Sequence, residues 1–364
     1  MSLERRRPAM ADIRLLERTL ASTVAWNKAR INFVAKFLVA LIQVKSVNLV
    51  EVASVFAGSA QPASHYKRAQ RFLRFFELPY AGVAAFVIKL LGVPAPWVLT
   101  MDRTDWYLGQ TPLNILLLGV AYKGTAFPLL WMIIEKKGCS STAERCALLD
   151  EFGRLFGFSA IAYLCADREF IGKVCFSYLR RKGIPCRIRV RSNTLIANAR
   201  GRAVQARQLF RHGRLNAPAA LARARLIWGE RWHVSGMRLP KGEYVIVISE
   251  RATQTAVADY AKRWEVETLF GCLKSRGFCL EETHVRDPER LKKLLALLAL
   301  AFCWAHVIGE WLAQHQPLKI KKHGRLAKSI FRHGFDHLRR ILCNQLCKAE
   351  RIELGRVIKL LSCT

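Results

Sequence analysis

The segment from residue 97 to residue 190 constrains the fold most, because its hydrophobic pattern changes there from helical spacing to continuous apolar runs. Three strands joined by short turns are predicted first, over residues 97–102, 113–122 and 126–134. The second run is almost entirely apolar, as expected of a strand buried on both faces. Helices and strands then alternate, over residues 141–156, 161–167, 170–182 and 186–190. This order of elements predicts an α/β domain.

Residues 192–242 interrupt this pattern with a stretch rich in Arg, Gly and Ala, in which arginines alternate with Trp228 and Trp232. We interpret residues 192–250 as a β-rich insertion that ends in a strand over residues 243–249. Three antiparallel strands followed by alternating helices and strands are typical of a ribonuclease-H-like core. We place this core, with its insertion, at residues 93–315.

Helical regions flank the predicted core on both sides. Residues 1–92 have helical periodicity and form a predicted all-α domain, and residues 316–364 form a basic helical C-terminal region. Within residues 48–76, a short helix, a turn and a basic helix carrying Arg68 and Arg71 suggest a helix-turn-helix module that contacts DNA. The alternative is a basic surface helix of an all-α domain.

The charge of the chain indicates a polyanionic partner. Lys and Arg number 59 against 27 Asp and Glu, which gives a net charge of +32, while 52% of the residues are hydrophobic. Such a basic chain with enough apolar residues for a core favours nucleic acid over a membrane surface. The apolar run at 294–308 is shorter than a membrane span of roughly 18 to 20 residues and predicts a buried core helix instead.

The 11 cysteines are scattered without a Cys-x-x-Cys pair, so a zinc ribbon is not expected. No apolar segment of a secretory signal follows the N-terminal arginines. We therefore expect reduced thiols in a cytoplasmic protein with no membrane partner.

A polar stripe is predicted on a helix that covers residues 260–274. Tyr260, Arg263, Glu267 and Lys274 are 3, 4 and 7 residues apart, which places them within roughly 60° of one another. The neighbouring face is apolar and is expected to pack against the core: Trp264, Leu269, Phe270 and Leu273. A carboxylate flanked by cations suits a metal ion beside a phosphate. The alternative is a solvent-exposed face with ordinary charge pairs.

Two further carboxylates lie at the ends of predicted strands. Asp102 ends the first predicted strand, and Asp167 ends the fourth. If these strands are neighbours, the two acids lie side by side and the later helix can place Glu267 over them. Close carboxylates need a cation, and oxygen ligands select Mg²⁺ or Mn²⁺. Two such ions support in-line phosphoryl transfer. Each acid alone is also compatible with a cap or a salt bridge, which is our interpretation of Asp105 and Glu169.

Three motifs resemble the signatures of DDE transposases of the insertion-sequence-4 family. They are Asp-Arg-Thr-Asp-Trp at 102–106, Ala-Asp-Arg-Glu-Phe-Ile-Gly at 166–172 and Tyr-x₂-Arg-x₃-Glu-x₆-Lys at 260–274. The resemblance extends from about residue 30 to about residue 310. It implies a cut-and-paste DNA transposase in which Asp102, Asp167 and Glu267 are catalytic and bind the two metal ions. It further implies that Tyr260, Arg263 and Lys274 contact phosphates near the scissile bond.

The resemblance also implies partners. They are double-stranded DNA, as terminal inverted repeats and as target, and a second copy of the chain in a synaptic homodimer, in the cytoplasm of a bacterium and near its nucleoid. Family members form a DNA hairpin and stack a flipped base on a tryptophan of the insertion, a role for which Trp228 and Trp232 are candidates. The alternative interpretation of each is a core tryptophan of the insertion. The alternative functions are a catalytically inactive, transposase-derived DNA-binding protein and, less consistent with the sequence, a membrane-surface protein.

Overall fold

The computed structural model describes residues 10–22, 24–322, 324, 326–343 and 348–362. The chain forms two compact units. The helical unit contains Met1–Val93, Asp105–Leu113 and Phe270–Thr364, and the sheet unit contains Pro94–Thr104 and Asn114–Leu269. The sequence-based boundaries at residues 92 and 315 follow the order of the motifs along the chain and stay a prediction.

The helices and strands are defined as follows. The helices are α1 (Met10–Ala21), α2 (Lys28–Val44), α3 (Leu49–Val55), α4 (Pro62–Phe75), α5 (Tyr80–Leu91), α6 (Thr142–Phe156), α7 (Lys173–Arg181), α8 (Ala256–Tyr260), α9 (Trp264–Leu273), α10 (Pro288–His315), α11 (Ile330–Cys343) and α12 (Lys348–Lys359). The strands are β1 (Trp97–Leu108), β2 (Thr111–Tyr122), β3 (Thr125–Ile134), β4 (Ile161–Ala166), β5 (Cys186–Val190), β6 (Leu195–Ala197), β7 (Ala203–Gln205), β8 (Ala219–Ala220), β9 (Arg225–Ile227), β10 (Glu230–Arg238) and β11 (Tyr244–Ser249).

Helix α10 forms the core of the helical unit. Asp287 caps its N-terminus by accepting a hydrogen bond from the Arg290 backbone N–H, and Pro288 occupies the first turn, where a missing N–H costs nothing. The helix is long and apolar enough to cross a membrane, but 89% of its most apolar stretch is buried inside the protein. Helices α2 and α3 are long and apolar enough to cross a membrane only when taken together, and they are bent by 105° relative to each other. The prediction of a buried core helix is therefore confirmed for α10.

Two glycines allow α10 and α11 to approach closely. A Cβ atom on Gly309 would overlap the backbone carbonyl of Ile330, and one on Gly334 would overlap that of Ala305. Because glycine lacks a Cβ, the two backbones meet directly at this crossing.

The sheet unit is built on a nine-stranded mixed sheet with the order β3-β2-β1-β4-β5-β11-β10-β8, and β9 pairs with β10. Strands β1, β4 and β5 are parallel, whereas β2 and β3 are antiparallel, as are β5, β11 and β10. Strands β6 and β7 form a separate two-stranded sheet. The predicted α/β class is confirmed by this mixed sheet with its helices.

Strand β1 is longer than predicted and continues to Leu108, so Asp102 lies within the strand and not at its end. Beyond Asp102, buried Thr104 and Trp106 alternate with exposed Asp105 and Tyr107. This period of two is typical of a strand with one buried face, and the polar residues had concealed it.

Candidate active site

Neighbouring parallel strands bring the first two candidate acids together. Strands β1 and β4 pair in a register that places Met101 opposite Ala166. Asp102 and Asp167 each follow directly after one of these two residues, so they lie side by side, Asp102 within β1 and Asp167 directly after the end of β4. The adjacency of the two strands, on which the sequence argument depended, is thus confirmed.

The guanidinium of Arg263 connects the acids. Its Nη1 atom lies 2.9 Å from Oδ2 of Asp102, and its Nη2 atom lies 2.6 Å from Oε1 of Glu267. The Arg263 side chain is only 5% exposed, against 15% for Asp102 and 41% for Glu267. A nearly buried cation therefore bridges one carboxylate inside the protein and one near its surface.

Tyr260 extends this group to the third acid. Arg263 Nε donates to the Tyr260 hydroxyl over 3.0 Å, and that hydroxyl donates to Oδ1 of Asp167, also over 3.0 Å. We call these five residues, Asp102, Asp167, Tyr260, Arg263 and Glu267, the acid–arginine cluster. The predicted face of the helix accounts for three of its members.

The predicted continuous helix over residues 260–274 is interrupted. Helix α8 ends at Tyr260, residues 261–263 form a 3₁₀ turn, and α9 begins at Trp264. The backbone dihedrals stay right-handed through the turn, so Tyr260, Arg263 and Glu267 still share one side. A 3₁₀ turn is a common junction between helices and changes the angular spacing only slightly.

Burial dominates the electrostatics of the cluster. It raises the pKa of Asp102 to about 6, a rise that the Arg103 N–H and the Arg263 charge only partly offset and that Glu169 and Asp167 increase. Burial also opposes the charge on Arg263, but Tyr260, Glu267 and Asp102 more than offset it and raise the arginine pKa. Burial, with the acceptor Asp167, raises the pKa of Tyr260, which remains a hydrogen-bond donor at neutral pH.

The Asp102→Asn variant is expected to be more stable than the wild type at pH 7.5, by about 1–3 kcal/mol. The pKa of Asp102 is higher in the folded chain than its usual 3.8, so folding favours the protonated form. Ionisation therefore lowers stability as pH rises from about 4 to 6, and the loss is complete above that range. Urea unfolding in chelator at pH 4 and pH 7.5 measures this: the gain should appear at pH 7.5 and vanish at pH 4.

A gain of equal size at both pH values would contradict this account, because it would not depend on ionisation of residue 102. Asp105→Asn is a suitable control, since it alters an exposed acid on the same strand.

A series of hydrogen bonds beside Asp102 was not predicted. The Arg103 backbone N–H donates to Oδ1 of Asp102 over 2.8 Å. The Arg103 side chain donates to Asn114 Oδ1 over 3.2 Å and lies 3.5 Å from Glu169. Asn114 is buried and donates to the backbone oxygens of Lys136 and Gly138. A lone amide in an otherwise apolar strand was the signal for Asn114, and the expected salt bridge of Glu169 is confirmed.

A second unpredicted group holds α8 against the sheet. Arg187 on β5 donates from Nε to Asp259 over 3.1 Å and from Nη1 to Glu250 over 3.2 Å. Its guanidinium also lies over the Tyr163 ring, 4.9 Å from the centroid. Asp259 immediately precedes Tyr260, so this ion-pair group fixes the helix end that carries the Tyr260 hydroxyl.

Lys274, the last residue of the predicted stripe, belongs to the helical unit. Its Nζ atom pairs with Glu281 over 2.8 Å, contacts the Asp105 carbonyl at 3.4 Å and lies over the Trp106 ring. In this conformation its charge is engaged by a carboxylate and an aromatic face.

The apolar face of the predicted helix is only partly buried. Leu269, Phe270 and Leu273 lie in the core as predicted, but Trp264 is 57% exposed. The Arg263 guanidinium lies 4.9 Å from the centroid of the Trp264 ring. The expectation that Trp264 packs against the core is wrong, because the 3₁₀ turn and this cation–π contact hold it at the surface.

The two candidate base-stacking tryptophans differ in position. Trp232 is 1% exposed and packs against Phe176, and Arg180 lies over its other side. Trp228 also contacts Phe176 but is half-buried, at the turn between β9 and β10. The predicted DNA contact does not fit Trp232, which is a core residue, because its position on β10 directs it inward.

The Trp232→Ala variant is expected to lose about 3–5 kcal/mol of unfolding free energy, since a large, fully buried ring leaves a cavity. Trp228→Ala should cost much less, because the ring is partly exposed. Urea denaturation of the two variants measures the difference. Equal, small losses would contradict the assignment of Trp232 to the core.

The two arginines of the basic helix that are predicted to contact DNA, Arg68 and Arg71, differ in burial. Arg68 is half-buried, donates to Asn32 Oδ1 over 3.2 Å and lies over the Phe33 ring. Arg71 is exposed. Arg68 therefore contributes to packing between α2 and α4, whereas Arg71 is accessible, and the DNA contact predicted for each stays a prediction.

The donor chemistry of the acid–arginine cluster fits a hard divalent cation, because its three acids offer carboxylate oxygens, the ligands that such ions prefer. The guanidinium between Asp102 and Glu267 shows that these two carboxylates accept a positive charge between them. Among the described residues, however, no three His, Cys, Asp or Glu side chains stand together as a ready metal cluster. The position between the carboxylates is taken by Arg263. An incoming ion must share or replace these arginine contacts.

Comparisons with known proteins show which family and which solved structure the chain is similar to. Residues 96–304 match the family described as Transposase DDE domain. No curated protein sequence matches the chain. A solved structure, the cryo-EM structure of a piggyBac transposase synaptic complex with hairpin DNA, is similar over 96% of this chain and 84% of that chain, with 12% identity and a TM-score of 0.47.

Proposed function

Because the chain belongs to the transposase DDE domain family, we propose that it is a cut-and-paste DNA transposase. It would bind the terminal repeats of an insertion sequence, cleave DNA at their ends and join them to a target. One observation carries this proposal: the buried Arg263 guanidinium bonds directly to the carboxylates of Asp102 and Glu267 and is linked through the Tyr260 hydroxyl to that of Asp167.

The finer family and fold assignments belong to this proposal. The Tyr-x₂-Arg-x₃-Glu-x₆-Lys spacing supports membership of the insertion-sequence-4 group. The strand order β3-β2-β1-β4-β5, with β1, β4 and β5 parallel, supports a ribonuclease-H-like core. Strands β6–β11 then form the insertion, of which β10 and β11 extend the central sheet.

The proposed mechanism assigns the acids to metal binding. Asp102, Asp167 and Glu267 would hold two Mg²⁺ or Mn²⁺ ions, whose chemistry would be to activate a water or a 3′-hydroxyl and to stabilise the leaving oxygen of an in-line phosphoryl transfer. The chain itself orients these groups. Arg263 fixes the Asp102 and Glu267 carboxylates, and Tyr260 fixes that of Asp167.

Tyr260 and Arg263 would also contact the scissile phosphate. The raised pKa values of both groups, which burial and its partners cause, keep the phenol protonated and the guanidinium charged at neutral pH. The single hydroxyl proton of Tyr260 is accepted by Asp167, so Tyr260 would donate to a phosphate oxygen only after giving up that bond. Arg263 would supply a charge-assisted donor, which stabilises developing negative charge in a water-poor site.

The proposed partners follow from charge and from the reaction. A net charge of +32 suits double-stranded DNA, as transposon ends and as target. Simultaneous cleavage of two ends would need a homodimer in the synaptic complex. We place the reaction in the bacterial cytoplasm, close to the nucleoid. For a flipped base of a hairpin intermediate, half-buried Trp228 remains the candidate.

The test uses a duplex that carries the terminal repeat of the element, incubated with protein with and without Mg²⁺. Cleavage at the repeat boundary should require metal and should disappear in Asp102→Ala. Tight binding without cleavage in either Mg²⁺ or Mn²⁺ would overturn the enzymatic proposal and favour a catalytically inactive DNA-binding protein.

A further inference from the structure

An exposed aromatic ring stands at the end of α4 within a basic surface. We call it the Phe75 surface, and its members are Arg30, Lys67, Arg71, Arg74, Phe75 and Arg290. Helix α4 buries His65, Ala69, Phe72 and Leu73, which directs Lys67, Arg71 and Arg74 outward. All members belong to the helical unit, although Arg30 and Arg290 are 260 positions apart in the sequence.

Two shallow cavities flank the ring. One, of about 310 Å³, is lined by Arg30, Phe33 and other residues of α2 and α4, and the second, of about 510 Å³, by Lys67, Arg74 and Arg290 among others. Arg71 and Phe75 line both. Phe75 is 65% exposed, so its ring forms a ridge between the two cavities. The Arg74 guanidinium lies 5.2 Å from the centroid of this ring, so an aromatic side chain and a cation are presented together at the surface.

The charge of the surface is not neutralised by the protein. In the described part of the chain, neither cavity is lined by an acid, and no acidic side chain pairs with Lys67, Arg71, Arg74 or Arg290. Beneath it, burial and the neighbouring charge of Arg71 lower the pKa of Arg68. The surface therefore attracts an anionic partner of comparable charge density.

We propose that the Phe75 surface docks double-stranded DNA, with its cations on phosphates of both strands and the Phe75 ring as an apolar wedge at a base step. This inference rests on the proposed function. Lys67 and Arg74 are separated by about 10 Å along the helix, enough to reach across a minor groove about 6 Å wide. Apolar wedges flanked by cations are a recurring way in which proteins enter this groove and unstack a base step.

The cations are tested in the triple variant Lys67→Ala/Arg71→Ala/Arg74→Ala by fluorescence anisotropy with a short, labelled, mixed-sequence duplex over a range of salt concentrations. Each lost phosphate contact should lower the slope of log K against log salt by about 0.9, so the slope should fall by up to about 2.7. The matched control, Arg14→Ala/Arg18→Ala/Lys28→Ala, removes three exposed cations of the same unit that line a cavity with Glu17. It should retain most of the wild-type slope.

The wedge is tested in Phe75→Ala with 2-aminopurine placed at successive positions of a terminal-repeat duplex. Wild-type protein should raise the fluorescence at one base step, and the variant should lose this rise with at most about a tenfold loss of affinity. Val174→Ala, which trims a side chain of similar exposure on α7, should keep the rise.

The outcomes separate this inference from the proposed function. A wild type that cleaves terminal repeats, together with a triple variant that keeps the full salt slope, overturns the docking surface alone. Loss of slope in a protein that never cleaves supports the surface and overturns the enzyme. A stronger loss with single-stranded DNA or anionic vesicles than with the duplex overturns duplex docking.

Discussion

The Glu267→Gln variant is expected to lose metal-dependent cleavage by about three orders of magnitude, because an oxygen ligand worth several kcal/mol in the transition state becomes a neutral amide. The amide oxygen still accepts the hydrogen bond that Arg263 Nη2 donates over 2.6 Å. Folding and DNA binding should therefore be retained. Cleavage of a labelled terminal-repeat duplex in Mg²⁺, with anisotropy for binding, measures both.

The control for this variant is Glu265→Gln, the same chemical change two residues earlier on α9. Glu265 accepts hydrogen bonds from the backbone of Gly124 and Tyr122, at the turn between β2 and β3, and has no bond to Arg263. It should keep cleavage near the wild-type rate. Loss of DNA binding together with cleavage in Glu267→Gln would contradict a purely catalytic role for the glutamate.

The Arg263→Met variant is expected to be less stable by about 3–5 kcal/mol in chelator, because removing one partner of a buried ion pair leaves the other charge uncompensated. The main cost arises at Asp102, whose side chain is 15% exposed, and less at the more exposed Glu267. Mg²⁺ or Mn²⁺ should restore part of the lost stability, since the freed carboxylates gain a cation. Thermal unfolding with and without the ions measures both effects.

Arg187→Met is the matched control, since Arg187 is also nearly buried and pairs with two acids, Glu250 and Asp259. It should lose a similar amount of stability with little rescue by metal, because it frees two carboxylates whereas the acid–arginine cluster holds three. Equal rescue of both variants, or unchanged stability of Arg263→Met, would contradict the role of Arg263 as the counterion of the candidate acids.

Local patterns in the sequence predicted the elements of the core and three members of the acid–arginine cluster. Strand β5 has the predicted bounds, 186–190, and β11 begins one residue later than predicted. Helical spacing placed Tyr260, Arg263 and Glu267 on one side because this depends on neighbouring residues alone. The proximity of Asp102 and Asp167 needed the pairing of β1 with β4, which periodicity does not determine.

Side-chain burial was the part that the sequence could not predict. Trp264 and Trp232 have the same chemistry, yet the first is exposed on Arg263 and the second is buried on Phe176. Arg68 and Arg71 likewise lie one turn apart on α4 and face different surroundings. For Trp232 and Arg68, burial depends on which element packs over the residue, and that is set by contacts distant in sequence.

The buried guanidinium of the acid–arginine cluster has a practical consequence for biochemistry. Because Arg263 pairs with Asp102 and Glu267 from within, we expect the fold to persist when the protein is purified and stored in EDTA. Protein–DNA complexes can then be assembled in the absence of turnover and started together by a single addition of Mg²⁺. Under the proposed function, rapid quench after that addition would show the successive DNA products and give the order of strand cleavages in one experiment.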